Sequence, residues 1–236
     1  MLPCKALFVG LAVALAACPQ PVLAQAGQPF VEPCARTESF TRPATGGPYD
    51  YRNQRSALRM VEDNHYIPQI ENLIKGKTGT LASEHSFVLH AFPNHHRALA
   101  SLARYSEKLK SRQPGDLDYP VDCYFERALR FRSDDLIVRM LYADYLGRTQ
   151  RANEAATQLE FVKASAPDNP MTQYNVGLLY FQLGRFADAL AQAHRAAELG
   201  MPRTELMDKL KAKGQWADAT KPPVLAAPAA ASAASR

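Results

Sequence analysis

The sequence predicts an all-α fold, a short solenoid of antiparallel helix pairs behind an irregular N-terminal arm. Three observations carry that expectation. A pattern of small and apolar residues returns after 34 positions, Ala143, Leu146, Ala155, Leu159, Val162 and Pro167 being echoed by Gly177, Tyr180, Ala189, Ala193, Ala196 and Met201, and such a period belongs to stacked helical hairpins. Small residues at Ala143, Gly177, Ala155 and Ala189 let paired helices approach closely. Prolines and glycines such as Pro93, Pro114-Gly115 and Gly184 fall between the periodic stretches rather than inside them.

Residues 1–26 carry one basic residue, Lys5, then an apolar run from Ala6 to Ala17 and helix-breaking Pro19 and Pro21, the layout of an export signal. The run is too short for a bilayer, which needs roughly 20 apolar residues. Two cleavage routes stay open. Val22-Leu23-Ala24 and Ala24-Gln25-Ala26 suit ordinary signal peptidase and a periplasmic product, whereas Leu15-Ala16-Ala17-Cys18 resembles a lipobox and would leave a membrane-anchored lipoprotein at Cys18. About 210 residues remain after export (236 less 26), enough for a real core. Removing Lys5 lowers the formal net charge from +5 to +4, and the basic residues are scattered, so nucleic acid is not an expected partner.

Residues 27–53 lack helical periodicity and include Gly46-Gly47-Pro48-Tyr49-Asp50-Tyr51-Arg52, so they are expected to form the irregular arm, with Tyr49 and Tyr51 packed on the helices. Cys34 and Cys123 survive ordinary cleavage, and an oxidising compartment would join them. That bond closes a separation of 89 residues (123 less 34), worth roughly 4 kcal/mol on chain-entropy grounds. Two unpaired buried thiols are the other reading.

Residues 54–92 make an N-terminal helical segment. Leu58 and Val61 space as one helix, and Ile67, Ile70, Leu73 and Ile74 as another beginning near Pro68 and ending at Gly76. The stretch from Gly79 to Phe92 leans to helix or turn. A helix running to about Leu109 then presents Leu99, Leu102 and Tyr105 on one side. After a polar loop from Lys110 to Pro120, a second arm spans Asp122 to Arg132, because Val121, Phe125 and Ala128 precede Ala155, Leu159 and Val162 by the same 34 residues.

The last full unit, from Pro170 to Arg203, reads Tyr174-Asn175-Val176-Gly177-Leu178-Leu179-Tyr180 and then Leu183-Gly184-Arg185-Phe186-Ala187-Asp188-Ala189-Leu190. On these residues the chain resembles the tetratricopeptide repeat family, as its first helix, turn and second helix. The unit from Leu136 to Asn169 keeps the pattern with Leu146 where an aromatic is commoner, and the unit from Pro93 departs through its expanded loop. The resemblance covers residues 93–203, about half of the chain. The arm and the stretch Ala91-Phe92-Pro93-Asn94-His95-His96-Arg97-Ala98-Leu99 resemble exported bacterial members of the class. The resemblance implies binding of a protein or peptide in a groove lined by the first helices, where Arg97, Ser101, Arg104, Asp144, Arg148, Tyr174, Leu178, Phe181 and Gln182 would lie. The three arginines could hold a carboxylate of an extended peptide, or merely solubilise the groove.

A terminal helix from Thr204 to Lys213 is expected to cap the stack through Leu206, Met207 and Leu210. Within residues 204–219 the segment from Gly214 to Ala219 echoes Gly184 to Ala189 as a truncated unit, and residues 220–236 form an Ala/Pro tail expected to be disordered.

Catalytic chemistry finds little support. Gly76-Lys77-Thr78 resembles the end of a phosphate-binding loop, but Glu71 stands where that motif needs glycine. His85, His90, His95 and His96 cluster without two of them three or four apart, so a metal would need ligands gathered from a loop, and structural hydrogen bonding is the competing use. No Gly-x-Ser-x-Gly elbow occurs, and Asp134-Asp135 reads as a helix boundary. The expected function is therefore a periplasmic protein- or peptide-binding scaffold without cofactor, not an enzyme. The rival is a metal-binding or catalytic protein using the His85 to His96 region.

Overall fold

Ten helices and no strand make up the described residues, which are Cys34 and 46–218 of the computed structural model. The helices are α1 (Arg55–His65), α2 (Pro68–Glu71), α3 (Leu81–Ala91), α4 (His96–Leu109), α5 (Val121–Phe131), α6 (Leu136–Arg148), α7 (Ala152–Ser165), α8 (Pro170–Gln182), α9 (Phe186–Glu198) and α10 (Glu205–Ala212). The export signal with Cys18, the arm before residue 46 apart from Cys34, and residues 219–236 lie outside the described residues. Among those described, no helix is long and apolar enough to cross a membrane.

Side-chain caps set the starts of four helices. Thr80 accepts from Ser83 N–H at 3.0 Å, His95 from Ala98 N–H at 3.1 Å, Asp135 from Val138 N–H at 3.3 Å and Asn169 from Thr172 N–H at 2.9 Å. Pro68 and Pro170 occupy first-turn positions where a missing N–H costs nothing. Positive φ at Gly184 (73°) turns the chain from α8 into α9, which a residue bearing a Cβ would resist.

Packing follows chain order. α6 lies against α7 and α8 against α9, while α4, α6, α8 and α10 contact one another in succession. Close approach of two helices is visible at Gly177. A Cβ added to Gly177 would stand 3.1 Å from Gln192 Cβ and 3.5 Å from the Ala189 carbonyl, both on α9. Aromatic contacts bind α5 to α6, with Phe125 centred 4.9 Å from Tyr142 and 5.6 Å from Tyr145, all three buried. Each such side chain contributes roughly 1.5–3 kcal/mol through burial.

The sequence places the helix after Pro68 out to Gly76, but α2 is a single turn ending at Glu71. Leu73 adopts φ 57° and Ile74 donates back to Gln69 O at 2.9 Å, closing the helix early and leaving Ile74 exposed. The ambiguous stretch before Phe92 is helical, as α3.

Residues 46–53 run without helix across the start of α4. Tyr49 N–H donates to Ala91 O at 2.8 Å and Tyr51 N–H to Asn94 Oδ1 at 3.0 Å. Tyr49 and Tyr51 pack on Phe92 and His95, with ring centroids 5.3 Å and 4.3 Å apart. The Arg52 guanidinium, 2.9 Å from Asp50 Oδ2, holds that buried carboxyl well below the usual carboxylate range. Arg132 reaches the same oxygen at 2.7 Å. Cys34 is bonded to Cys123 on α5, and both are fully buried.

Candidate functional site

The caps His95, Asp135 and Asn169 put α4, α6 and α8 into one register. At equal offsets from them stand Arg97, Ser101, Arg104 and Lys108 on α4, Ile137, Leu141, Asp144 and Arg148 on α6, and Met171, Asn175, Leu178 and Gln182 on α8. Spacings of three and four residues lay each set along a single helix face.

On α4 that face is covered by the chain itself. Arg97 Nε donates to Glu71 Oε1 at 2.9 Å and its Nη2 contacts Oε2, while Arg104 Nη2 donates to the Glu71 carbonyl at 3.0 Å. Ser101 Oγ lies 2.9 Å from the same carbonyl, and Lys108 Nζ donates to Leu73 O at 3.5 Å. Cations thus meet the carbonyl end of α2. The Arg97 guanidinium holds the Glu71 carboxyl below its ordinary value. Arg97 and Arg104 are therefore engaged by α2, and Ser101, fully buried beneath it, cannot face an open groove as the sequence suggests.

On α6 and α8 the corresponding faces are open. Asp144, Arg148 and Gln182 line a cleft of about 290 Å³ with Leu179 and Leu183. Gln182 continues into a cleft of about 370 Å³ with Leu178, Phe181, Phe186, Lys209 and Lys213. Arg148 continues the other way into a cleft of about 350 Å³ with Glu107, Lys110 and Arg112. Five residues proposed from sequence, Asp144, Arg148, Leu178, Phe181 and Gln182, are brought together along these adjoining clefts. Arg148 bonds Glu107 at 3.0 Å and Asp144 at 2.9 Å.

Tyr174 is the further correction. It is only 2 % exposed and lies on a separate cavity of about 110 Å³ with Arg203 and Trp216. Its hydroxyl is 3.4 Å from Glu205 Oε2, because α10 covers this side of α8, and burial raises its pKa. Sequence reading also overlooked Lys110, Arg112, Lys209 and Lys213. Counting helical offsets from the three caps would have found Ile137 and Met171, which are 47 % and 43 % exposed.

The histidines are spread over separate partners. His65 Nδ1 sits 2.9 Å from Glu84, His95 Nε2 3.1 Å from Glu62 and His96 Nε2 2.9 Å from Asp135. Among the described residues, no group of three or more His, Cys, Asp or Glu side chains converges as a metal site requires. His85 has the best catalytic geometry, its Nε2 lying 2.8 Å from Ser101 Oγ. Its Nδ1 faces Leu81 O at 2.7 Å, which fixes the proton on Nδ1 and leaves Nε2 to accept. A serine and an imidazole nitrogen at this distance resemble an activated nucleophile, but burial weakens His85 as a base and both side chains are fully buried, so substrate has no path to them.

Glu84 explains the Gly-Lys-Thr segment. Its Oε1 accepts from the backbone of Lys77 at 2.9 Å, Thr78 at 2.6 Å and Gly79 at 3.3 Å, so an internal carboxylate fills the amide nest a phosphate would need. Burial opposes ionisation of Glu84, but the hydrogen bonds from Thr78, His65 and Lys77 outweigh it and hold the carboxyl at about 2.

No protein-family model matches the chain, and no curated protein or solved structure is significantly similar to it.

Proposed function

We propose that the chain is an exported, periplasmic, tetratricopeptide-like scaffold that binds a protein or peptide along the row of α6, α8 and α10. The observation that carries this reading is the adjoining of three clefts through shared residues, Arg148 between two of them and Gln182 between two. The common register of α4, α6 and α8 and the close approach at Gly177 support a repeated hairpin. A groove built on packed helices is preformed, so an extended segment docks without the chain having to order itself first. No cofactor enters this reading, and the Ser101–His85 pair, sealed from solvent, gives the catalytic rival no accessible centre.

An array of random dodecapeptides, probed with the chain and with an Arg148→Ala/Gln182→Arg variant, tests it. Both positions are exposed, so the variant keeps its melting temperature. A set of bound peptides that the variant loses is the expected result. The same set bound by both proteins rejects the face.

A further inference from the structure

Resting on that reading, we propose that the open stretch of the face takes a peptide segment that carries an apolar side chain and a carboxylate, laid across the helix face that on α4 the chain's own Ile70–Leu73 already covers. On α4 that covering is visible in full. Ile70 is fully buried, the Glu71 carboxylate is gripped by Arg97, the Glu71 carbonyl accepts from Arg104, and the Leu73 carbonyl accepts from Lys108. The segment occupies all four positions of the α4 stripe. It ends there, and the equivalent stripes of α6 and α8 are open.

The residues that replace the α4 stripe define the occupant. Ile137 and Met171 stand where α4 has Arg97, so the end near the caps is apolar. Charge moves to the other end, where Arg148 stands at the Lys108 position beside Lys110 and Arg112 in one cleft. In the adjoining cleft Phe181 and Phe186, their rings 5.4 Å apart, lie beside Lys209 and Lys213. The acidic residues of the two clefts are already paired, Glu107 with Arg148 and Glu205 with Lys209 at 3.4 Å. Lys110 and Lys213 have no ion pair among the described residues, so they are the charges left for a ligand. Arg148 also exchanges its outer bond readily, because Glu107, held by Nη1 at 3.0 Å, is 54 % exposed and an incoming carboxylate replaces one screened pair by another, while Nε keeps its bond to Asp144 at 2.9 Å. A basic segment would meet Lys110, Lys209 and Lys213 with like charge.

The probe is a fluorescent dodecapeptide of three Ile-Glu-Asn-Leu copies, the sequence of residues 70–73, with a control in which each Glu is Gln. Anisotropy at low salt should give the Glu peptide at least tenfold tighter binding to the full chain. A Lys110→Ala/Lys213→Ala variant, altered only at exposed positions, should lose at least fivefold of that preference. Equal binding of both peptides, abolished by Leu178→Glu, overturns the acidic requirement and leaves the groove standing. Equal binding that Leu178→Glu does not change places the peptides off the face and sinks both readings. No binding of either peptide overturns the acidic–apolar occupant.

Discussion

Asn94 Nδ2 lies 2.8 Å from Asp50 Oδ1, and the same amide nitrogen donates to Asp135 Oδ2 at 2.9 Å. One buried amide thereby separates two buried carboxylates, and its oxygen accepts from Tyr51 N–H at 3.0 Å. These three bonds hold the arm against the junction of α4 and α6. Asn94→Asp would remove both donors and set a third carboxylate between the first two. The expected loss is about 3 kcal/mol or more, because a buried charge left without a partner costs more than the bond it replaces. Urea unfolding measures it, and a loss below about 1 kcal/mol would detach this network from the stability of the fold.

The disulfide holds the same arm from another point. Replacing Cys34 and Cys123 together by serine opens an 89-residue loop and should lower stability by about 4 kcal/mol through the unfolded chain's entropy. Combined with Asn94→Asp, the loss should fall short of the sum, since both changes release one segment. Strict additivity would mean that the two attachments act on separate parts of the fold.

Gly177 tests helix spacing directly. A Cβ there would meet Leu206 Cδ2 at 2.5 Å and Gln192 Cβ at 3.1 Å, so Gly177→Ala must push the Leu206 side chain aside and press on α9 despite its better helix propensity. Overpacking of this kind costs about 1–3 kcal/mol. A gain in melting temperature would show that α8 has room to spare.

The hairpins were legible because their spacing is written in local, periodic features. Gly177 marks the close approach of α8 to α9, and the caps Asp135 and Asn169 mark the starts of α6 and α8. The arm was legible only as two suspicious stretches, around Asp50 and around Asn94. Their meeting depends on residues more than 40 positions apart (94 less 50 is 44), which no period reports. The clefts were half legible for the same reason. Residues on α6 and α8 open into clefts as the register implies, but Ser101 and Tyr174 are covered by α2 and α10, elements that fall outside the 34-residue sequence period.

Acid should expose the buried imidazoles. Burial pushes His85 down to about 4, and burial with the nearby Arg127 charge does the same to His90, whereas an unfolded histidine titrates near 6.5. Between these values the unfolded chain holds protons that the folded chain refuses. Stability therefore falls as pH drops from about 6.5 toward 4, by on the order of 1 kcal/mol per pH unit for each group. The carboxylates act at lower pH. Glu84, held at about 2, contributes stability that is complete above its ordinary value of 4.5 and is lost as pH falls toward 2. Melting temperature followed from pH 7 to pH 5.5 reads the histidine part before the carboxylates begin to titrate. His85→Gln lowers stability at neutral pH because it breaks the bonds to Leu81 and Ser101, yet its pH dependence should be shallower than that of the parent. A parent curve that stays flat across this window would mean that His85 and His90 take up protons without leaving the fold.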